Sequence, residues 1–502
     1  MHGTTDPQLA PCIIGTARRT WNDISATPEP LDMWEEVARS AADDVDVQRD
    51  IIGSIDHLGL VHCQSWAYDE PVRRLADRLE THGIYFSESI LAGTSPQRLL
   101  DEAAERMLRG ECSVALVVGG EALATQSAMQ RCGETPNWSH PHPSPPALPI
   151  DFDEWYLSTE RAHGVLPAWL TFALLEQARW AARGATAGGR NELGEVMARL
   201  NTVAAANPDA WFRTLRSASD ITQPSTSNRM VASPYTKLMT SFMNVNMAAA
   251  NLMVTRRTAD AWGVPEDRRA YLRGWGFARD AIHLGARNDL SSSRAMTIAT
   301  QTACAMASMS VSDIDVFDLY SCFGSAVQFA RDALGLRHDD PRPISLTGGL
   351  PYHGGPSSNY MGHSISHLVD HLRANPSHAG MVTGVGMHMT KHVAAIYSPI
   401  PGSILWQGNE RSTQQWLAPS TSPDVTVVDH ADARCVIRAA TVVHTSDGSP
   451  DHAIAICELP DGTRCYARSD RPSTMNAVTN GSWANAEAAV TPGQNGQNLF
   501  EF

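Results

Sequence analysis

The feature that most constrains this chain is an alternation, met twice, of short apolar runs with amphipathic helical segments. Up to about residue 125, "CIIG" (12–15) reads as a buried strand and "LDMWEEVARSAADDV" (31–45) as a helix with an apolar stripe. "IDHLGLVHC" (55–63) reads as a strand, a helix runs from Pro96 to about Arg109, and "SVALVVGGEAL" is a central strand leaving through Gly119-Gly120. Strands alternating with helices predict an α/β unit with a mainly parallel sheet. From about 264 to 400 the style returns. "IDVFDLYSCFGSAVQFARDALGL" is a strand then a helix, "TGGLPYHGGPSSNYMGHSISHLVDHL" is glycine-rich, and "AGMVTGVGMHMTKHVAAIYS" closes the section. The shared order of strand, small-residue turn, helix and Val-Gly-rich strand suggests a tandem duplication.

Two other stretches break this rhythm. "TPNWSHPHPSPPALP" is a Pro- and His-rich loop, followed by the helical "LPAWLTFALLEQARWAARG" and "LGEVMARLNTVAAANP", an insertion of about 100 residues. The last hundred residues carry short strands, "DVTVVD", "RCVIRAATVVH", "HAIAICEL" and "TRCYARS", separated by Asp-Gly and Ser-Asp-Gly turns. That pattern suggests a small β-barrel. The expected organisation is an N-terminal half in 1–125 plus 228–263, an inserted loop domain in 126–227, a C-terminal half in 264–402 and a barrel in 403–502.

Charge and cysteine usage narrow the function. The 39 basic and 54 acidic residues of this 502-residue chain give a net charge of -15. That argues against general nucleic-acid binding, which needs a basic face, but leaves room for an anionic small ligand held by local cations. Only two lysines occur, Lys237 and Lys391. The nine cysteines are scattered, odd in number and form no CxxC. With no basic-then-apolar leader and apolar runs too short to span a bilayer, the expectation is a reduced, cytoplasmic protein without a membrane span.

Four blocks, in order, carry a resemblance. "GTSPQRLLDEAAERMLRGE" followed by "VALVVGGEA" is similar to the nucleophile helix and next strand of the thiolase superfamily. "DLYSCF" followed by "ALGL" is similar to its His-Asp-Cys-Phe block, and "GGLPYHGGP" to its Gly-Gly-Leu…Gly-His-Pro block. "TGVG" stands near its closing Cys-x-Gly turn. The chain thus resembles thiolases over about residues 8 to 400, nearest to the sterol-carrier-protein type and to actinobacterial thiolase-like proteins of type 1, a group grouped with the acetyl-CoA acetyltransferases. The resemblance implies an α/β thiolase fold of two similar halves in five layers, with a helical loop domain over an acyl-CoA site. The terminal barrel resembles the OB-like domains fused to, or partnered with, some of these proteins.

Working thiolases use a cysteine at a helix start as nucleophile, a histidine that activates it, a second cysteine as acid and base, and an Asn- or His-based oxyanion site. Here the nucleophile column falls on Thr94, or by a one-residue slip on Ser95, and no cysteine lies between Cys63 and Cys112. The Gly-His-Pro histidine falls on Gly355, the first histidine of the preceding block on Tyr320, and the closing cysteine near Thr383–Gly386, with Gly384 at its centre. The resemblance therefore implies an acyltransferase by family, in lipid metabolism, that holds or acts on an acyl-CoA or related lipid thioester without ordinary thiolase activity and without a resident cofactor. Two alternatives stand beside this. One is a carbon–carbon lyase on a β-hydroxyacyl-CoA, with Tyr320 as acid or base and Tyr352 or His353 assisting. The other is a non-catalytic interaction protein.

Taken by itself, "GTSPQ" reads as a helix start with Ser95 as N-cap and Pro96 as first helical residue. Lys237 and Lys391 are candidates for a CoA phosphate. His363, His367 and His371 share one helix face; without a matching carboxylate or cysteine cluster they predict a half-buried or solvated face rather than a metal site. Cys112 and Cys322 read as packing residues. Family precedent implies a dimer or tetramer, with the usual dimer strand near "IYFSESI", which carries Glu88; a fused barrel covering that surface would instead leave a monomer.

Overall fold

The architecture follows from where the strand-forming runs hydrogen-bond. In the computed structural model, residues 6–81, 84–145, 151–184, 189–406 and 425–502 are described. The first half supplies β1 (Pro11–Thr20), β2 (His57–Leu60), β3 (Tyr85–Glu88) and β4 (Val114–Ala122). A short hairpin, β5 (Met230–Ala232) and β6 (Tyr235–Thr236), precedes β7 (Asn246–Thr255). The second half supplies β8 (Ala270–Arg279), β9 (Val316–Asp318), β10 (Gly380–Gly386) and β11 (Lys391–Ser398).

These strands form one nine-stranded sheet in the order β3-β2-β4-β7-β1-β8-β11-β10-β9. Read from its two ends, the sheet repeats itself. In the first half, β2 and β4 are parallel, β4 and β7 antiparallel, and β7 and β1 antiparallel. In the second, β9 and β10 are parallel, β10 and β11 antiparallel, and β11 and β8 antiparallel. The second half lacks only a partner for the edge strand β3. The halves join over just two pairs, Cys12 with Tyr271 and Ile13 with Ala270.

Helix Pro30–Asp43 packs on β1, β4 and β7, and helix Arg294–Ala307 on β8 and β11. Between the halves lie helices Ser95–Leu108 and Tyr360–Ala374, which touch each other; each also touches strands of both halves. One outer helix, the first half of the sheet, the paired helices, the second half of the sheet and the other outer helix make five layers. Helix Ser95–Leu108 earns its central place from sequence: Leu100, Ala103, Ala104 and Met107 recur at helical spacing and are fully buried.

The C-terminal segment is a closed five-stranded barrel of β12 (Ala433–His444), β13 (Pro450–Glu458), β14 (Arg464–Ser469), β15 (Glu487–Pro492) and β16 (Asn498–Glu501). Its strands follow the order β12-β13-β14-β16-β15 and close through β12–β13. β14 and β16 run parallel, and helix Pro472–Thr479 bridges the third and fourth strands, the topology of an OB-type barrel. The hairpin β5–β6 hydrogen-bonds onto the barrel at Ala232 and Val443.

Two expectations are corrected. The sheet is not mainly parallel: β2–β3, β2–β4 and β9–β10 are parallel, but the other five neighbouring pairs are antiparallel, because β7, β1, β8 and β11 fill the middle of the sheet. "DVTVVD" is not a strand among the described residues: Val427 makes only an isolated bridge to Arg464. The two closing strands, in "EAAVTPGQNGQNLFEF", carry a weaker apolar signal than the run that was expected to fill that place.

Candidate functional site

Helix Ser95–Leu108 presents its polar face to a cleft of about 690 Å³. Ser95, Arg98, Glu102, Glu105, Arg106 and Arg109 line it at spacings of three or four residues, which puts them on one helix face. The opposite walls come from the edge strand β3 and the turn after it (Tyr85, Glu88 to Leu91), from the ends of β8 and β11 (Phe277, Arg279, Lys391), and from the short helix Phe152–Trp155 (Glu154, Trp155). Thr94 stands at the base of the helix in this cleft.

The chain's start into that helix differs from the sequence expectation. The helix begins at Ser95, Thr94 occupies the cap position, and Thr94 makes no side-chain capping bond. Ser95 turns its hydroxyl back to donate to the Ile90 carbonyl at 2.7 Å, so it is not the N-cap. Pro96 sits in the first turn, where its missing N–H costs no helical bond.

The cations of the cleft are constrained differently. Lys391 and Arg279 are cross-strand neighbours in the β8–β11 register, two positive charges side by side. Lys391 is buried, with Nζ 4.8 Å from the Trp155 ring centre. Burial first, and Arg279 second, pull its pKa down to about 8, while Glu154 opposes them. Arg98 bridges the fully buried Asp101 at 3.2 Å and lies 4.9 Å over the Phe277 ring. Burial outweighs that bridge at Asp101, whose pKa rises to about 7. Gln97 also donates to Asp101 at 2.9 Å and accepts from Tyr397 at 2.9 Å. Burial likewise raises Glu88 and Glu105.

The remaining residues singled out in the sequence lie outside the cleft. A Cβ on Gly93 would lie 2.1 Å from the Tyr320 hydroxyl and 2.3 Å from the Val385 carbonyl oxygen, so Tyr320 fills the space behind the helix start. A Cβ on Gly384 would meet Met361 at 2.3 Å and the Gly93 carbonyl at 3.2 Å. At Gly355, the column of the family's histidine, the Leu350 side chain takes the space, 3.1 Å from where a Cβ would be. Tyr320 is buried, with its ring edge-on to Tyr360, and burial raises its pKa. Tyr352 is buried and its hydroxyl has no partner among the described residues.

His353 does not stand in for the family histidine. It joins His363 and His367, with ring centres 5.3 Å and 5.5 Å away, and Asn207 reaches both His353 (3.4 Å) and His367 (2.9 Å). Burial drives all three imidazoles well below the ordinary histidine range, so they are neutral. The expected half-buried histidine face is fully buried at His363 and half-buried at His367 and His371. Among the described residues no group of three His, Cys, Asp or Glu side chains is placed to hold a metal ion. Lys237 is exposed on the turn Lys237–Met239 and does not reach the cleft.

A Ser-His-Asp grouping also occurs and is not a catalytic relay. Ser293 donates straight to Asp280 at 2.5 Å while accepting from the Met296 amide as a helix cap. His392 faces both through the same nitrogen, at 3.2 Å and 3.1 Å, and its Nδ1 has no partner among the described residues. A relay needs the two imidazole nitrogens to face different partners.

Sequence reasoning found Thr94, Ser95 and Lys391 but missed Arg98, Arg279, Glu154, Trp155 and Phe277. The charged face at 98, 102, 105, 106 and 109 was readable as periodicity. The approach of Trp155 and Phe277 was not, because it depends on how separate elements pack.

Over its whole length the chain superposes on a monomeric SCP2-thiolase-like protein type 1 from Mycobacterium smegmatis, with a TM-score of 0.83, 29% identity and 99% of each chain covered. The chain has the thiolase-like fold. An Ltp2-ChsH2(DUF35) aldolase shares the fold at a TM-score of 0.60 and 15% identity, covering 78% of this chain and 98% of that one. A human mitochondrial 3-ketoacyl-CoA thiolase in complex with CoA matches at 0.55 and 14% identity, covering 78% and 99%. No family model matches the chain, and no curated protein matches it in sequence. The thiolase-like fold places the cleft beside the helix start that resembles the superfamily's nucleophile position, and among the described residues no helix is long and apolar enough to cross a membrane.

Proposed function

We propose that this thiolase-like chain holds an anionic acyl thioester of the acyl-CoA class in the cleft at Thr94 and Ser95, as a cytoplasmic protein of lipid metabolism, without acyl-cysteine chemistry. The observation that carries the reading is the pairing of Arg279 with Lys391 at one wall of a cleft whose other walls include Trp155, Phe277 and Leu99. Like charges directly opposite in a sheet repel each other; Glu154 offsets part of that repulsion, and a bound anion offsets more. The apolar walls suit an acyl or pantetheine stem, and the volume is that of a small-molecule site. Supporting the second clause, a threonine hydroxyl without a base is a weak nucleophile, and Leu350 crowds the space beside Gly355, 3.1 Å from where a Cβ would be.

Calorimetric titration with CoA, acetyl-CoA and acetoacetyl-CoA tests the ligand. Binding is expected, and Arg279→Glu should weaken it about tenfold or more, the effect of removing a charge-assisted contact. No heat with any of the three esters and thiols ends the ligand reading. Acetoacetyl-CoA thiolysis that a thiol alkylator abolishes would overturn the second clause. The lyase reading finds less support, because Tyr320 does not line the cleft.

A further inference from the structure

Lys391 is the only one of the chain's two lysines that lines the cleft. It opens β11 just after the turn from β10, and its stem lies against Gly386. A Cβ there would touch Lys391 Cβ at 3.1 Å and Ala92 Cβ at 3.2 Å. The lysine is therefore a near neighbour of the segment 92–95 in which Thr94 takes the superfamily's nucleophile column, and Thr94, Ser95 and Lys391 face the same space. We infer that Lys391 is an acylation site, its amine taking the acyl group of a thioester held in the cleft. The inference rests on the cleft being an acyl-thioester site.

Three features favour it. The side chain is held in place: 7% exposed, with its nitrogen over the Trp155 ring. The charged groups facing it are Arg279 from β8 and Glu154 from the helix Phe152–Trp155, and with burial dominant the amine titrates at about 8. At pH 8 about half of it is free amine, against less than about 1% of an ordinary lysine. Acylation also removes one of the two like charges paired across β8 and β11.

The step balances without a further reactant. The Nζ lone pair attacks the thioester carbonyl carbon, and the positive end of helix Ser95–Leu108 faces the developing oxyanion. The carbon–nitrogen bond forms and the carbon–sulfur bond breaks. The thiolate leaves and takes up the proton lost by nitrogen, giving an amide and a free thiol with no change of oxidation state.

The full-length protein is incubated with acetyl-CoA between pH 7 and 9 and mapped by peptide mass spectrometry; two lysines make the map simple. Lys391 should acquire the acetyl group at least about tenfold faster than Lys237, with a half-maximal rate near pH 8 and slowing by excess CoA. In Lys391→Arg the cleft label should vanish, whereas Lys237→Arg, a change outside the cleft, should leave labelling of Lys391 as it was. Equal or faster labelling of Lys237 overturns the inference. Calorimetric CoA binding with Lys391 left unacylated overturns it too, while sparing the ligand reading. Failure of CoA to bind removes the ligand reading. Selective labelling of Lys391 by the small thioester S-acetyl-N-acetylcysteamine then still supports a reactive amine.

Discussion

At the scale of single residues, the turn into helix Ser95–Leu108 is closely packed on the side away from the cleft. Gly93 has no room for a side chain, since a Cβ would meet both the Tyr320 hydroxyl and the Val385 carbonyl inside 2.5 Å. Gly93→Ala should therefore lower stability by about 1–3 kcal/mol, the range for overpacking a filled site. Adding Tyr320→Phe should restore only part of it, because the Val385 carbonyl remains; full restoration in denaturant melts would show that the hydroxyl alone sets the constraint. A second residue-scale consequence concerns His363, fully buried with neither ring nitrogen partnered among the described residues. Burial first, then His353 and Arg18, hold its pKa well below the ordinary 6.5. Its folded pKa thus lies below its unfolded one. The stability it confers is complete above about pH 6.5 and is lost as pH falls towards the folded value. His363→Leu should flatten the acid limb of stability against pH by up to about 1.4 kcal/mol per pH unit, the weight of one proton. The buried acids raised by desolvation, Asp101, Glu121 and Glu176, act in the opposite sense but are common to both proteins. Urea midpoints at pH 7.5 and 5 compare the two; parallel losses would mean that His363 is not the group taking up the proton.

At the scale of elements, the two halves use one device to seat their outer helices. A Cβ on Gly15 in β1 would lie 2.1 Å from the Ala41 carbonyl of helix Pro30–Asp43. In the equivalent strand β8, a Cβ on Gly276 would lie 2.2 Å from the Ala299 carbonyl of helix Arg294–Ala307, and one on Gly274 would lie 2.3 Å from the Ala303 carbonyl. Helix backbone cannot yield as a side-chain tip can. Gly15→Ala and Gly276→Ala should each cost about 1–3 kcal/mol by thermal or denaturant unfolding; a neutral effect at both would deny that close helix seating is what these glycines provide. Most elements of this kind were legible in sequence. "CIIG", "SVALVVGGEAL" and "AGMVTGVGMHMTKHVAAIYS" became β1, β4 and the β10–β11 pair, because a buried strand needs an unbroken apolar run, and such runs are visible without a fold. The cap at Ser95 was not legible to the residue. Ser95 and Thr94 are both good caps by composition, and only the reach back to Ile90 decides that neither uses its hydroxyl that way.

At the scale of the whole molecule, sequence could suggest a duplication but not prove it; the matching strand order and polarity of the halves supply what similarity by eye could not. The cleft was hidden for the same reason, since it gathers β3, two strand ends, a central helix and a short helix of the inserted segment, far apart in the chain. How the barrel attaches was likewise beyond the sequence, yet it makes a sharp prediction. Tyr466 on β14 donates to Glu160 of the inserted segment at 2.8 Å and accepts from the Gly285 amide of the second half at 2.8 Å. One hydroxyl therefore ties three parts of the molecule, and both Tyr466 and Glu160 are buried. Its neighbours reinforce the joint: the Asn498 amide donates to His163 at 2.8 Å, and Arg464 donates to the Arg287 carbonyl at 2.5 Å. Tyr466→Phe keeps the ring and its packing but leaves the Gly285 N–H without its partner and Glu160 short of a donor. A buried group so deprived costs about 1–3 kcal/mol. The loss should fall on the joint, because the barrel has its own core around Trp483 and Phe500. Hydrogen exchange should therefore quicken at Gly285 and along β14 and β16 while β1, β4 and β7 stay protected. Uniform acceleration across all strands would instead mean that the barrel and the thiolase-like halves unfold as one cooperative unit.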